Sequence, residues 1–255
     1  MAKILFVGIQ MPASGTETAF LHYVKTLDFS QHDVTLLLAK KAGALMNEIP
    51  EQIHVREMGP EGELFLLRKN TALRILGRWL FVRHPIKALK ALPYIWKCVF
   101  GPNKLYASER LWHYAMGVIL PTLDEEYDEA IAYWGDHTMY YVVDKVKAKK
   151  KISYLHFEYF PEERERALFA SYLEKVDQLV AGSPNTYDLV TAEFPEYASK
   201  ITLQNVEMDK ERIDALAHAP VQFSGKFLQF VSVGRIHPVK GYDLILPALA
   251  QLKKD

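Results

Sequence analysis

The chain has 255 residues, with 31 lysines and arginines against 31 aspartates and glutamates, 49% hydrophobic residues and 12% aromatic ones. That length and apolar content supply one large domain or two ordinary ones, and they exclude disorder, collagen and a small disulfide scaffold. A net charge of zero and a pI near 7.1 argue against a protein devoted to nucleic acid. The single cysteine, Cys98, can close no intramolecular bridge and build no thiolate metal site, which fits a reducing, cytoplasmic setting.

The N-terminus, MAKILFVGIQMPASGTE, reaches Gly8 and Gln10 before a secretory apolar region is complete, so it reads as a strand. No stretch approaches the roughly 18 uncharged residues of a spanning helix. The longest, Leu111 to Leu123, is interrupted by His113 and Pro121. Short aliphatic runs alternate with segments of helical period, which is the mark of βαβ units and a mainly parallel sheet. Lys3 to Val7 reads as a buried strand, and Gly8 to Gly15 as a loop holding Pro12 and Ser14. Glu17 to Leu27 places Phe20, Leu21, Val24 and Leu27 on one helical face. Strands follow at Asp33 to Leu38 and Ile53 to Glu57.

Leu64 to Leu120 reads as three helices: Leu64 to Leu76, a longer one after Pro85, and another through Leu111 and Met116. The alternation then resumes with strands near Glu129 to Tyr133, Lys151 to Leu155, Gln178 to Ala181 and Ile201 to Leu203, each followed by a helix-like stretch. The run Lys145 to Lys151 reads as a solvated helix end. Near Pro220 the pattern restarts with a strand over Phe227 to Val233, a glycine loop, and a helix from Gly241. One strand and one helix cannot bury their apolar faces alone. That tail therefore docks on the first domain or opens a larger second one, and the expected division is 1–205, a crossing over 206–220, and 221–255.

Four features bear on chemistry. In the loop of Ser14, Gly15 and Thr16, a strand turns into a helix, which brings backbone N–H groups and the positive end of the helix dipole toward an anionic ligand. A tight turn with no ligand gives the same pattern, and the glycines of a dinucleotide fingerprint are missing. Gly234, Arg235, Lys240 and Gly241 put two cations around a loop at a strand's C-terminal edge, where a fork and a mobile point charge can hold a diphosphate. A solvated turn is the alternative. His156 directly follows the strand KISYL, where open α/β sheets place their ligand crevice. There a neutral or protonated imidazole would hydrogen-bond a sugar hydroxyl or a phosphate, although most histidines are surface or packing residues. Trp134 and Asp136 follow another strand in the same way, as a stacking platform or as core.

The fourth feature is an asymmetry of charge. From Leu64 to Ser108 there are nine lysines and arginines, Arg74, Arg78, Arg83 and Lys87 among them, and no carboxylate. Aromatic residues such as Trp79 share the segment. Helices with cations on one side and aromatic residues on the other lie in the headgroup region of anionic bilayers. Nucleic-acid binding, pairing with acidic stretches such as Asp124 to Asp128, and ordinary solvated faces are competing explanations. No CxxC, HExxH, GxSxG or Walker pattern occurs, which argues against zinc and acyl-enzyme chemistry. The carboxylate pairs Asp124 with Asp128 and Glu158 with Glu162 match ordinary acidic helix faces.

Together, KILFVGIQMPASGTETAF, YDEAIAYWGDHT, KKKISYLHFEYF, VDQLVAGSPNTYDLV, ITLQNVEMDKERI and above all FVSVGRIHPVKGYDLILPAL resemble glycosyltransferase family 4, retaining nucleotide-sugar transferases of GT-B architecture. The resemblance implies two Rossmann-like domains, of which the chain would carry the acceptor side and the first βα unit of the donor side. It further implies that Arg235 and Lys240 contact the donor's diphosphate, that His156 faces the donor sugar or the acceptor, and that Ser14 and Gly15 border the cleft. Asn205 and Asp209 match the interdomain crossing. Ser14 stands where the family usually has a glycine, and the family's spaced glutamate pair has no counterpart.

The expected activity is transfer of a hexose-type sugar from a UDP- or GDP-sugar to a cell-envelope or polysaccharide acceptor, lipid-linked, with no cofactor, metal or nucleic acid. The chain alone is expected to be inactive or nearly so. The expected location is the cytoplasm, at the inner face of the plasma membrane. A non-catalytic α/β module for polyanions or membranes is the rival from the binding class. A nucleotide-sugar epimerase or dehydrogenase is the rival enzyme, and the missing fingerprint counts against it.

Overall fold

The computed structural model describes residues 1–66, 81–82, 85–86, 89, 92–93, 96, 112–156, 159, 165–205, 207–218, 220, 230–234, 236 and 240–252. The chain forms two compact units, Met1–Lys210 and Glu211–Asp255. That break falls inside the expected crossing.

The first unit is an α/β, Rossmann-like domain built on a parallel sheet of seven strands in the order β3-β2-β1-β4-β5-β6-β7. The strands are β1 (Ala2–Gly8), β2 (His32–Leu38), β3 (His54–Glu57), β4 (Glu126–Ala132), β5 (Lys147–Leu155), β6 (Gln178–Ala181) and β7 (Ile201–Leu203). Helix α1 (Gly15–Lys25) joins β1 to β2. Then α2 (Asp136–Lys145), α3 (Arg166–Leu173) and α4 (Pro184–Glu193) join β4 through β7. The aliphatic runs form strands because a sheet covered on both faces buries side chains of either parity. Ile4 and Phe6 pack with Phe20, Leu21 and Val24 of α1, whereas Leu5 and Val7 face the opposite cluster. That second cluster takes Met139 to Val142 from α2, Phe169 and Leu173 from α3, and Val190 from α4.

Three sequence expectations are corrected. Lys147 to Lys151 is the first half of β5, not a helix end. Its lysines lie in register beside the carboxylates of β4, so cross-strand pairs such as Lys149 with Asp128 at 2.7 Å and Lys150 with Glu129 at 3.6 Å stabilise the extended form. Within the acidic stretch 124–128, Lys149 pairs with Asp128 and Arg56 with Glu125; the cations of the basic segment lie outside the described residues. Residues Leu64 to Leu66 close a 3-10 turn, Pro60–Leu66, rather than opening an α-helix. Beside Gly62 the Ala39 carbonyl lies where a Cβ would sit, so this turn is pinned against the end of β2. The rest of the first expected helix, 67–76, lies outside the described residues, and those described between 81 and 96 are helical.

Residues 112–116 form a π-helical turn that seats Trp112 at 0% exposure. Its Nε1 donates to Asp144 Oδ2 at 2.7 Å, and the Tyr172 hydroxyl donates to the same oxygen at 3.0 Å. A buried indole N–H requires such an acceptor.

In the second unit, helices α5 (Lys210–Ala217, reaching one residue into the first unit) and α6 (Tyr242–Leu252) are formed. Residues 230–233, expected as the end of a strand, have no ladder pairing, and Val231 and Val233 are largely exposed. Among the described residues no neighbouring strand is present to satisfy their backbone groups.

Asp144→Ala is expected to lower stability by about 1–3 kcal/mol, because it leaves the Trp112 N–H and the Tyr172 hydroxyl without their acceptor. Urea unfolding monitored by tryptophan fluorescence measures this, and an unchanged midpoint would contradict it.

Candidate functional site

Strand order reverses between β1 and β4: β2 and β3 extend the sheet one way, and β5 to β7 the other. Open parallel sheets form their ligand crevice at the C-terminal edge of such a reversal. The loop after β1 is held there by its neighbour, since Met11 N–H donates to the Ala42 carbonyl at 2.8 Å and Leu45 N–H to the Met11 carbonyl at 3.0 Å. Ser14 then takes the N-cap position of α1 with extended backbone.

Glu17, which sequence reasoning passed over, organises this edge. Its carboxylate is only 5% exposed, and it accepts from the Ser14 hydroxyl and, at 2.8 Å, from Trp134 Nε1. The spacing Ser14-x-x-Glu17 is the capping-box signal that could have revealed it. Here the hydroxyl donates to Glu17 instead of accepting a backbone N–H, so Ser14 caps no amide by its side chain. At Ser183, by contrast, the hydroxyl accepts from Thr186 N–H at 3.2 Å in the ordinary way. A buried carboxylate in the first turn of α1 already offsets the helix dipole, which weakens any pull of this loop on an anion. The backbone at Gly15 nevertheless borders open space.

Trp134 lies 4.8 Å from Phe20 between ring centroids and 5.3 Å from Tyr133. Gly135 follows with a φ of 91°, a left-handed conformation that suits glycine, and starts α2 so that Asp136 occupies its first turn.

His156 leaves the end of β5 and packs on Tyr133 at 4.5 Å and on Tyr154 at 5.5 Å, nearly parallel to the latter. Burial lowers its pKa to about 4, against a weaker upward pull from the Tyr133 backbone. The ring is therefore neutral near pH 7, and of the two protonation states open to the sequence reading only this one remains. Among the described residues neither ring nitrogen makes a hydrogen bond of good geometry, although the Tyr133 backbone lies close enough to pull on the ring. A Cβ at Gly182 would stand 3.2 Å from His156 Nδ1, so the glycine after β6 keeps space beside the ring.

His156 lines a cavity of about 250 Å³ between α1, the ends of β4 and β5, and the residues after β7. Its other walls include His22, Tyr23, Tyr133, Tyr154, Gln204 and Glu207. The Tyr154 hydroxyl donates to Gln204 Oε1 at 3.2 Å. Burial raises the phenol pKa of Tyr23, Tyr133 and Tyr154, so all three stay protonated. Asn205 lines the same cavity, while Asp209 pairs with Lys25 at 3.2 Å and lies 4.0 Å from His22 Nδ1, which ties the residues after β7 to α1.

In the second unit, Lys240 lies in the turn that enters α6, with its aliphatic stem beside Gly234. The Tyr242 hydroxyl donates to the Gly234 carbonyl at 3.2 Å and closes that turn. Arg235 lies outside the described residues, as do Arg74, Arg78, Trp79, Arg83 and Lys87. Among the described residues no group of three or more His, Cys, Asp and Glu side chains is placed to hold a metal, and no helix is long and apolar enough to cross a membrane.

No protein-family model matches the sequence, and no curated protein matches it. Among solved structures the chain is similar to Anabaena HepE, crystallised in complex with UDP and glucose, at 15% identity and a TM-score of 0.49. The likeness covers 98% of this chain and 58% of that one, so the chain spans less than two thirds of that protein's length.

With a native pKa near 4 and an unfolded value near 6.5, the folded protein binds fewer protons than the unfolded one between these values. The stability this carries is complete above pH 6.5 and is lost as pH falls toward 4. Between pH 7 and pH 5 the protein is expected to lose about 2 kcal/mol more than its His156→Gln variant, as measured by urea unfolding at the two pH values. Parallel losses would show that the ring is not held neutral by burial.

Proposed function

We propose that this chain carries the acceptor side of a glycosyltransferase that moves a sugar from a UDP- or GDP-sugar to a cell-envelope or polysaccharide acceptor with retention of configuration. The observation that carries the reading is His156, a neutral imidazole at the C-terminal edge of the sheet, lining a cavity, with no well-formed hydrogen bond to either nitrogen among the described residues. A neutral imidazole offers one donor and one acceptor, which matches a sugar hydroxyl. The sequence resemblance to glycosyltransferase family 4 supports the same reading through residues of both units.

In the proposed reaction the bond between the sugar's anomeric carbon and the departing phosphate oxygen breaks. The acceptor oxygen bonds to that carbon on the same face, and its proton passes to the departing phosphate. Negative charge grows on the diphosphate as it leaves, so Arg235 and Lys240 act most strongly in the transition state. His156 binds and orients a hydroxyl and stores no charge. No protein nucleophile takes part, and no metal or cofactor is required.

The basic segment is the proposed membrane contact. Phe81, Val82, Ile86, Leu89, Leu92 and Trp96 are helical and between 41% and 76% exposed. Arg83, Lys87 and Lys90 are interleaved with them in the sequence. Apolar side chains with cations between them suit the headgroup layer of an anionic leaflet, where a lipid-linked acceptor would be met.

In protein that includes the complete donor domain, Lys240→Ala is expected to cut kcat roughly 100- to 1000-fold with UDP-glucose or GDP-mannose as donor. Proton NMR of the product should show the donor's own anomeric configuration. Inversion, or full activity of the variant, would refute the mechanism.

Cosedimentation with anionic liposomes tests the membrane contact separately. Replacing Arg74, Arg78, Arg83 and Lys87 by Gln removes about 1 kcal/mol of attraction per charge, so binding should weaken on the order of 100- to 1000-fold. Equal binding of the variant, or equal binding to neutral vesicles, would eliminate it.

A further inference from the structure

The cavity beside α1 has a chemical bias of its own. Three neutral phenol rings, Tyr23, Tyr133 and Tyr154, form an aromatic wall, with centroids 6.1 Å apart for Tyr23 and Tyr133 and 4.9 Å for Tyr133 and Tyr154. Such a wall presents flat apolar faces together with hydroxyl groups, and few polar groups are needed to orient a ligand on it. His156 adds a donor and an acceptor, neither of which makes a well-formed hydrogen bond among the described residues. Buried polar atoms without partners are costly, and a ligand hydroxyl satisfies either of them. Gln204 adds an amide whose oxygen already accepts from Tyr154, which leaves its N–H groups to donate.

The charges around this space oppose an anion. His22 Nε2 faces Glu207 at 3.7 Å and its Nδ1 faces Asp209 at 4.0 Å. Lys25, on the same helix, is engaged by Asp209 at 3.2 Å. Glu207 itself lines the cavity and is 77% exposed. Among the described residues the Lys25 ammonium is already matched and Glu207 adds a carboxylate to the rim, so a phosphate meets little counter-charge there. The volume, about 250 Å³, lies below the range of drug-sized sites and suits a single ring.

We propose that this cavity is a subsite for one uncharged, polyhydroxylated sugar ring of the acceptor, and that it excludes sugar phosphates and nucleotides. Calling the sugar an acceptor rests on the transferase reading; the binding of a neutral ring does not. His156 thereby belongs to the acceptor, and the donor's diphosphate is held by other residues.

The test is a titration of the 255-residue chain, with no nucleotide present, by a panel of methyl hexopyranosides, with hexose 1-phosphates and uridine as the contrasting probes. Saturation-transfer NMR gives the affinities. At least one neutral methyl glycoside should bind saturably and at least tenfold more tightly than its 1-phosphate, and uridine should not displace it. Tyr154→Phe and Gln204→Ala should each weaken the glycoside about five- to tenfold, the worth of one hydrogen bond. The substitution Glu207→Gln should narrow the margin against the phosphate.

Binding of no glycoside in the panel, equal binding of the phosphate, displacement by uridine, or insensitivity to both Tyr154→Phe and Gln204→Ala would each overturn the proposal. Glycoside binding in a protein that transfers no sugar would leave the subsite standing and remove the transferase reading instead.

Discussion

Where the strand order reverses, β1 and β4 lie side by side and send their following loops apart, and one carboxylate joins those loops again. Glu17 accepts from Ser14 on the β1 side and from Trp134 on the β4 side. A crevice at this position is a consequence of parallel topology, because neighbouring connections leave toward opposite faces. Its shape depends on what spans the gap. Here the span is a buried carboxyl group with two neutral donors; Trp134 packs on Phe20, Phe20 meets Tyr133 edge-to-face, and Tyr133 lies tilted against Tyr154. The aromatic wall of the cavity continues that series of ring contacts, and His156 packs against its Tyr133 and Tyr154.

Much of the fold was legible in the chain because both faces of the sheet are covered. Buried parallel strands read as largely aliphatic runs, and Lys3 to Val7, Asp33 to Leu38 and Gln178 to Ala181 did so. Lys147 to Lys151 was opaque for the opposite reason. Its conformation is dictated by Asp128 and Glu129 on a neighbouring strand, and a composition of lysines with one alanine carries no trace of that partner. The 3-10 turn over Pro60–Leu66 was equally hidden, since the contact that pins it comes from Ala39.

The site divides along the same line. That His156, Trp134 and the Ser14 loop lie at the C-terminal edge of the sheet was legible because each follows a strand, which is a rule of position. Tyr23, Tyr154 and Gln204 were missed. Tyr154 reads as a core residue of β5, Tyr23 sits at no characteristic position on α1, and Gln204 has no motif; tertiary packing alone brings them to one cavity. Glu17 was recoverable from its spacing to Ser14, but only as a helix cap. Its burial under Trp134 depends on a residue 117 positions away.

Electrostatics separates the tasks of the two units in the proposed reaction. A nucleotide sugar carries its charge on the diphosphate, whereas a glycan acceptor is neutral where it reacts. In that proposal the first unit meets the acceptor with a neutral imidazole, protonated phenols, a sequestered carboxyl group and a rim lysine already matched by Asp209. The second unit has a lysine in a turn that the Tyr242 hydroxyl closes. A phosphate in the β1 loop would lie against the Glu17 carboxylate in the first turn of α1, and moving that carboxylate away would take the acceptor from Trp134 Nε1. The α1 entrance is thus biased toward hydroxyl groups by the same bond that holds the crevice together.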